Sequence, residues 1–256
     1  MGILDRGVLF LLLFRANASL ILAFMAIFTV LNHPIRLVNA MNSPLTDPDT
    51  KIKNKGHVRM FRNPVLEVLS LSSATLTVVS YGAIVLSFLV LNSFFGSVDS
   101  LSSGLFVYFG ALACWTFFEY VLHRYVFHFV YESKAGNRFH YVMHGYHHEY
   151  PRDAHRLFMP PAAGVIISSI FLGIFFLLMG RSAFVFTAGF VNGYLLYTMM
   201  HYSIHRFKAP KGLRNLWKHH AMHHYKHNDR AFGVSSTFWD RIFGTMPKGQ
   251  EEGSQA

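Results

Sequence analysis

Four long apolar runs constrain the fold of this chain more than any other feature. They cover residues 73–95, 104–122, 162–180 and 183–200, and each is about as long as a helix needs to cross a bilayer. Of the 256 residues, 52% are hydrophobic and only 14% are charged, which is a poor composition for a soluble surface. We therefore predict an all-α integral membrane protein with four core transmembrane helices.

A further apolar stretch, residues 7–31, precedes these runs and is interrupted by Arg15. The part after Arg15 is short for a membrane span, so the stretch could be a signal anchor, a membrane helix or a cleaved signal peptide. We expect four parts in the chain: an N-terminal hydrophobic segment at 1–32, a basic cytosolic arm at 33–71, the main membrane domain at 72–248 and a polar tail at 249–256.

The charges indicate an orientation in the membrane. The connection at 96–103 contains Asp99 and no Lys or Arg, whereas residues 124–156 and 206–248 are basic. Basic loops face the cytoplasm, so the segments that follow the second and fourth runs are expected there. The net charge of +10 fits such loops against anionic lipid, and no nucleic-acid partner is expected.

Histidines follow the apolar runs in a repeated pattern. The chain holds 16 histidines, and ten of them form H-x4-H, H-x2-H-H, H-x3-H and H-x2-H-H in that order. The ten are His123, His128, His144, His147, His148, His201, His205, His220, His223 and His224.

This pattern predicts a centre of two metal ions. Neutral imidazole is the commonest protein ligand for zinc, copper, iron and nickel. One ion accepts about four to six ligands, so ten histidines suit two ions that keep open positions. In an α-helix, the H-x3-H pair and both triplets place their histidines on one face. His123 and His128 share a site only if the helix ends or distorts between them; otherwise they bind different ions.

Two other interpretations stay open from the residues alone. The histidines could line a basic cytoplasmic face, or the chain could be a membrane metal-handling protein. Metal transport predicts ionisable residues near the middle of the spans, and these spans contain very few. Ligands at helix ends favour an interfacial active site.

Three acidic residues are candidates to orient the ligands. Glu119 lies four residues before His123, on the same helical face. We expect it to accept the imidazole N–H of His123 or to pair with Arg124. Asp153 and Asp240 are further candidates for such a role.

The words around the histidines resemble a known family. They are LHRYVFH at 122–128, HGYHH at 144–148, PRDAHRL at 151–157, FGVSSTFWDRIFGT at 232–245 and RMFRNPVLE at 59–67. Together they resemble the fatty acid hydroxylase superfamily of integral-membrane di-iron enzymes, which also contains sterol desaturases. Within it, an initial H-x4-H is similar to the sphingolipid fatty acid 2-hydroxylases, whereas sterol-type members usually begin with H-x3-H.

The resemblance covers residues 58–245 and implies a function. It implies four membrane helices and a cytosolic histidine-rich cap that holds two metal ions, iron in the active enzyme, with zinc possible in purified forms. The implied reaction is O2-dependent hydroxylation at C2 of a long acyl chain, in ceramide or as a free acid. All ten histidines carry over as ligands, and Tyr197 and Tyr202 match tyrosines beside the H-x3-H pair. The implied membrane is the endoplasmic reticulum in a eukaryote or the inner membrane in a bacterium.

Two features of the sequence depart from the family pattern. Thr198 stands where many eukaryotic members carry Asp. Many members also have an N-terminal cytochrome b5 domain with an HPGG motif, where this chain has only HPIR at 33–36. We therefore expect an external electron donor, such as cytochrome b5 or a ferredoxin. A sterol or carotenoid hydroxylase or desaturase on the same fold remains the alternative enzyme.

Overall fold

The computed structural model describes residues 52–129 and 133–248, which form helices and loops without a β-strand. The predicted hydrophobic segment at 1–32, residues 33–51 of the basic arm and the tail at 249–256 lie outside the described residues. The all-helical prediction is confirmed for the part of the chain that the structure describes.

Nine α-helices follow one another along these residues. They are α1 (Pro64–Leu69), α2 (Ala74–Phe95), α3 (Leu101–Val121), α4 (Lys134–His140), α5 (Tyr146–Glu149), α6 (Pro161–Met179), α7 (Ala183–Arg206), α8 (Arg214–Tyr225) and α9 (Phe238–Ile242). π-Helical segments follow α3 (Leu122–Phe127) and α4 (Tyr141–Gly145), and short 3-10 turns precede α7 (Gly180–Ser182) and α8 (Lys211–Leu213).

Polar caps start the early helices where the apolar runs begin. The Asn63 side chain accepts from the backbone N–H groups of Val65 and Leu66 at the start of α1. Ser73 and Ser100 cap α2 and α3 in the same way. Such caps satisfy backbone donors that the first helical turn leaves unpaired, so they fix where each helix begins.

Three helical stretches are long and apolar enough to cross a membrane: Ala74–Phe95, Leu101–Phe127 and Pro161–Arg206. The last contains both α6 and α7, which correspond to the third and fourth apolar runs. Gly180, with φ 59°, ends α6, a backbone conformation that favours glycine. The ring of Phe171 on α6 lies 4.9 Å from that of Phe190 on α7, so the two helices pack as an antiparallel hairpin.

α7 is the central helix, because it packs against α2, α3 and α6. Its face toward α3 carries glycines: a Cβ atom at Gly189 would overlap the Tyr108 carbonyl, and one at Gly193 would overlap the Trp115 side chain. Small residues of this kind let two membrane helices approach closely. This contact fixes α7 beside α3, so the histidines that follow α3 and those in the last turns of α7 meet at one end of the bundle.

Candidate metal centre

A π-helical turn brings the first histidine pair together. α3 ends at Val121, and residues Leu122–Phe127 continue it with the wider π-helical winding. Hydrogen bonds from residue i to i+5 place residues five apart about one turn from each other. The Nε2 atoms of His123 and His128 are therefore only 3.3 Å apart. The helix is distorted between these residues, which is one of the arrangements that the sequence left open.

The ten histidines form two clusters of five. In each, one ring nitrogen from every member lies within 4.8 Å of the others. The first cluster comprises His123, His128, His144, His148 and His223, and the second comprises His147, His201, His205, His220 and His224. The rings of His148 and His224 stack 4.3 Å apart, so the two clusters are adjacent.

The middle histidine of each triplet joins the cluster of the other half of the chain. His147 follows α4 but lies with His201 and His205 from the end of α7. His223 on α8 lies with His123 and His128. Neither half therefore holds a complete cluster.

The nitrogen separations fit a shared metal ion better than hydrogen bonding. In the first cluster, the Nε2 atoms of His123 and His144, and those of His128 and His223, are 3.0 Å apart. In the second, those of His147 and His224 are also 3.0 Å apart. Two nitrogens that each lie about 2.0–2.1 Å from one ion, at roughly a right angle, are about 3 Å apart.

The tautomers support the same conclusion. Nδ1 of His123 lies 2.5 Å from the Phe232 carbonyl oxygen, and Nδ1 of His223 lies 2.7 Å from that of Arg230. A carbonyl only accepts, so these Nδ1 atoms carry the protons and the Nε2 atoms carry lone pairs. Converging lone pairs repel one another unless a cation lies between them. Both clusters could therefore hold a metal ion.

Burial keeps the cap histidines neutral, as ligands must be. Seven histidines of the two clusters lie outside the long apolar helices and are called the cap histidines here: His128, His144, His147, His148, His220, His223 and His224. Burial, reinforced by neighbouring histidines, lowers the pKa of each of them well below its usual value. A neutral imidazole offers its lone pair without first losing a proton.

Glu119 lies close to the centre but does not contact His123. Its Oε1 accepts from the backbone N–H groups of Val234 (2.7 Å) and Ser235 (2.8 Å), and its Oε2 accepts from the Ser235 hydroxyl. The predicted bond from the His123 imidazole to Glu119 is wrong, because Phe232 already accepts that proton. Pairing of Glu119 with Arg124 is also wrong: the Arg124 guanidinium donates to the Tyr120 hydroxyl, 2.8 Å away.

Asp240 binds the adjacent part of the same loop segment. Its carboxylate accepts from the backbone N–H groups of Phe232 (2.9 Å) and Gly233 (2.7 Å). It also lies 3.0 Å from Nε2 of His219, a buried residue outside both clusters. Asp240 thus holds the backbone segment whose carbonyl groups accept from His123 and His223.

The remaining candidates differ in how near they lie to the clusters. The Tyr197 ring stacks on His201, with the ring centres 5.9 Å apart. Tyr202 instead packs against Phe158 and Phe207. The Asp153 carboxylate accepts a hydrogen bond from the Tyr146 hydroxyl, 2.7 Å away, and Tyr146 directly precedes His147.

A cavity of about 330 Å³ opens onto both clusters. His144 of the first cluster and His147 and His201 of the second lie in its wall. Most of the remaining wall is apolar: Met60, Phe61, Phe127, Val142, Met143, Leu157, Phe158, Met159, Pro160, Ala163 and Ile167. The polar lining includes Ser70, Arg156 and Thr198, the position that departs from the family pattern.

Arg156 belongs to a polar group that the sequence analysis did not single out. Its guanidinium pairs with the Glu67 carboxylate of α1 and donates to the Ser70 hydroxyl at 2.8 Å. It also lies over the Tyr146 ring, 5.2 Å from its centre. The resemblance at residues 59–67 and 151–157 contained both partners, but spacing gives no sign that two segments so distant in sequence meet.

Long apolar helices with paired histidine clusters beside an apolar cavity define a class of helical membrane proteins that could hold metal ions next to an apolar ligand. The sequence model of the family described as fatty acid hydroxylase matches residues 108–245, more than half of the chain. This chain belongs to the fatty acid hydroxylase family, as its histidine spacing predicted.

Named relatives lie among the acyl 2-hydroxylases. The dihydroceramide fatty acyl 2-hydroxylase FAH1 of Arabidopsis thaliana is 42% identical over 135 residues, which cover 52% of this chain and 57% of that protein. The ceramide very long chain fatty acid hydroxylase SCS7 of Saccharomyces cerevisiae is 42% identical over 135 residues, 51% of this chain and 35% of that protein. The fatty acid 2-hydroxylase of Homo sapiens is 38% identical over 144 residues, 52% of this chain and 37% of that protein.

One solved structure is similar over a larger part of the chain. It is described as full-length scs7p in which only the hydroxylase domain is visible. The TM-score is 0.68 at 34% identity, and the match covers 75% of this chain and 73% of the other. The matched segments span about a third to just over half of the length of the three curated relatives named above.

Proposed function

We propose that this chain is a membrane monooxygenase that hydroxylates C2 of a long acyl chain, in ceramide or as a free fatty acid. In the proposal, the ten histidines of the two clusters hold two iron ions. The observation that carries it is the apolar cavity whose wall includes histidines of both clusters. The named relatives support the substrate class, because their descriptions are fatty acyl and ceramide hydroxylases.

In this proposal, the clustered histidines and the cavity wall have different roles. When bound, the ions would supply the activation of O2 that an unreactive C–H bond requires. Five neutral histidines leave room for at most one further ligand on a six-coordinate ion. The apolar wall binds the acyl chain and excludes water. The cavity volume lies at the lower end of the range for ligand pockets.

C2 is the carbon next to the acyl carbonyl, so the polar end of the lipid must lie near the clusters. Arg156 and Ser70 are suitably placed to bind that end. The Arg156 guanidinium packs on Tyr146, and Tyr146 directly precedes His147 of the second cluster. Arg156, Ser70 and His147 line the same cavity, whose remaining wall is mostly apolar.

The proposal includes an arrangement in the membrane and an electron donor. We propose that α2, α3, α6 and α7 each cross the bilayer, with the histidine clusters on the cytoplasmic side. The basic segments 206–248 and 124–156 support this orientation. Electrons would come from a separate donor such as cytochrome b5 or a ferredoxin.

Lipid analysis tests the function directly. Cells that express the chain should gain 2-hydroxyacyl lipids relative to cells that lack it, as measured by mass spectrometry with acyl position assigned. A changed sterol or carotenoid with no 2-hydroxyacyl product would contradict the proposal. The matched control is the double variant H147A/H223A, which lacks one histidine of each cluster and should give no product.

A further inference from the structure

One backbone segment, residues 230–235, orients two histidines of the first cluster. The carbonyl oxygen of Phe232 accepts from Nδ1 of His123, and that of Arg230 accepts from Nδ1 of His223. These histidines come from opposite halves of the chain. A hydrogen bond at the far ring nitrogen fixes both the tautomer and the direction of the ligating lone pair.

The segment is itself held by two buried carboxylates. Glu119 is 3% exposed and Asp240 is fully buried, and between them they accept from the backbone N–H groups of four consecutive residues, 232–235. Ala231, within the segment, has φ 61°, a left-handed conformation that L-residues rarely adopt. A strained turn of this kind persists only when its surroundings fix it.

We propose that Glu119 and Asp240 are positioning residues for the first cluster and act through the backbone of 230–235. The inference rests on the proposed function to the extent that the first cluster holds a metal ion. Asp240 accepts from the N–H groups of 232–233 and Glu119 from those of 234–235, so the two carbonyl oxygens face His123 and His223 in fixed directions. Glu119 and Asp240 thus affect metal binding without touching a ligand.

The effect should be confined to one of the two ions. Among the described residues, no hydrogen bond of the segment 230–235 reaches a histidine of the second cluster. Loss of the Glu119 contacts, all of which go to residues 234–235, should therefore weaken the ion of the first cluster and spare that of the second. A general loss of folding would affect both ions equally.

The test is metal retention by the purified full chain in detergent. Metal-free wild-type protein and variants are loaded with Co²⁺ and dialysed, and the retained ions per chain and the visible absorption spectrum are measured. We expect the wild type to retain two ions. Glu119→Leu should bind one of them about tenfold more weakly, in line with the effect of groups that orient a ligand. Glu119→Gln should retain both, because its amide oxygen still accepts from the backbone of 234–235.

A matched control separates positioning from ordinary destabilisation. Thr77 on α2 is fully buried and its hydroxyl lies 3.0 Å from that of Ser72, far in sequence from both clusters. Thr77→Val removes a buried hydrogen bond and should leave both ions in place. If Glu119→Leu fails to fold, Ser235→Ala, which removes only the hydroxyl contact to Glu119, should still give a smaller selective weakening.

The outcomes are distinct. Two ions held with wild-type affinity by Glu119→Leu, or the same weakening in Thr77→Val, would overturn the positioning role and leave the proposed function intact. Fewer than two ions in the wild type would instead contradict the two-ion centre on which both proposals rest.

Discussion

At the scale of single residues, His147 and His223 stand out because each lies in the cluster whose histidine pair comes from the other half of the chain. They occupy the same middle position of the two triplets, and each lies with the pair from the other half. The triplet spacing predicts that three histidines share a helical face, and it is silent on which neighbour each one meets. Because each cluster contains one middle histidine from the other half, it forms only when the two halves of the chain pack together.

Replacement of either residue should affect one cluster first. We expect His147→Ala to lose the ion of the second cluster and His223→Ala that of the first, as measured by metal content per chain. Hydroxylated product should fall by more than about 100-fold in both, because even groups that only orient a ligand contribute about 10–100-fold. His155→Ala is the control, since His155 is exposed and outside both clusters. Wild-type product from either variant would show that its histidine is not a ligand.

Residue types were more predictable here than residue partners. The sequence identified all ten clustered histidines and singled out Glu119 and Asp240 as acidic neighbours. It could not give the target of Glu119, because Val234 and Ser235 lie more than a hundred positions later and are bound through their backbone N–H groups. Every residue except proline has a backbone N–H group, so the sequence does not indicate which of them Glu119 binds.

At the scale of elements, the π-helical segment after α3 explains the H-x4-H spacing. An α-helix would place His123 and His128 on different faces, whereas the wider turn places their Nε2 atoms 3.3 Å apart. The lengths of the apolar runs predicted the long helices closely, from 73–95 for α2 to 162–180 for α6. It could not predict this local widening, which the histidine geometry required.

A pair of length variants tests the role of this turn. Deletion of Val126 gives an H-x3-H spacing, which an ordinary α-helix places on one face, so most metal binding should be kept. Insertion of one alanine beside Val126 gives an H-x5-H spacing, with five residues between the two histidines, and should displace one of them from the first cluster. Metal content per chain distinguishes the two. Equal loss in both variants would mean that the π-helical backbone itself, rather than the spacing, is required.

At the scale of the whole molecule, the buried cap histidines make stability depend on pH. Their pKa is lowered in the folded state by burial, whereas the unfolded chain takes up protons near pH 6.5. Below that pH the unfolded state binds more protons than the folded state, so acid favours unfolding. Above it, both states are neutral at these groups and the free energy of unfolding does not change on their account.

The metal-free protein should therefore lose stability as the pH falls below about 6.5. Each buried histidine contributes about 1.4 kcal/mol per pH unit, so several together give a steep dependence. Denaturant unfolding of chelator-treated protein between pH 5 and 8 measures it. The metal-loaded protein is the matched comparison and should resist acid to a lower pH, because protons must first displace the ions. Unfolding that is independent of pH in the metal-free protein would contradict the burial of these groups as neutral imidazoles.

The exchange of the middle histidines also sets an order of events during synthesis. As the chain emerges, the first four ligands of the first cluster, His123 to His148, are complete long before its fifth, His223. The second cluster contains the earlier His147 and is finished only by His224. In the proposed two-ion centre, neither ion meets its five histidines until α8 has been made and α7 has docked. Metal insertion would then be a late step that requires the completed fold rather than either half.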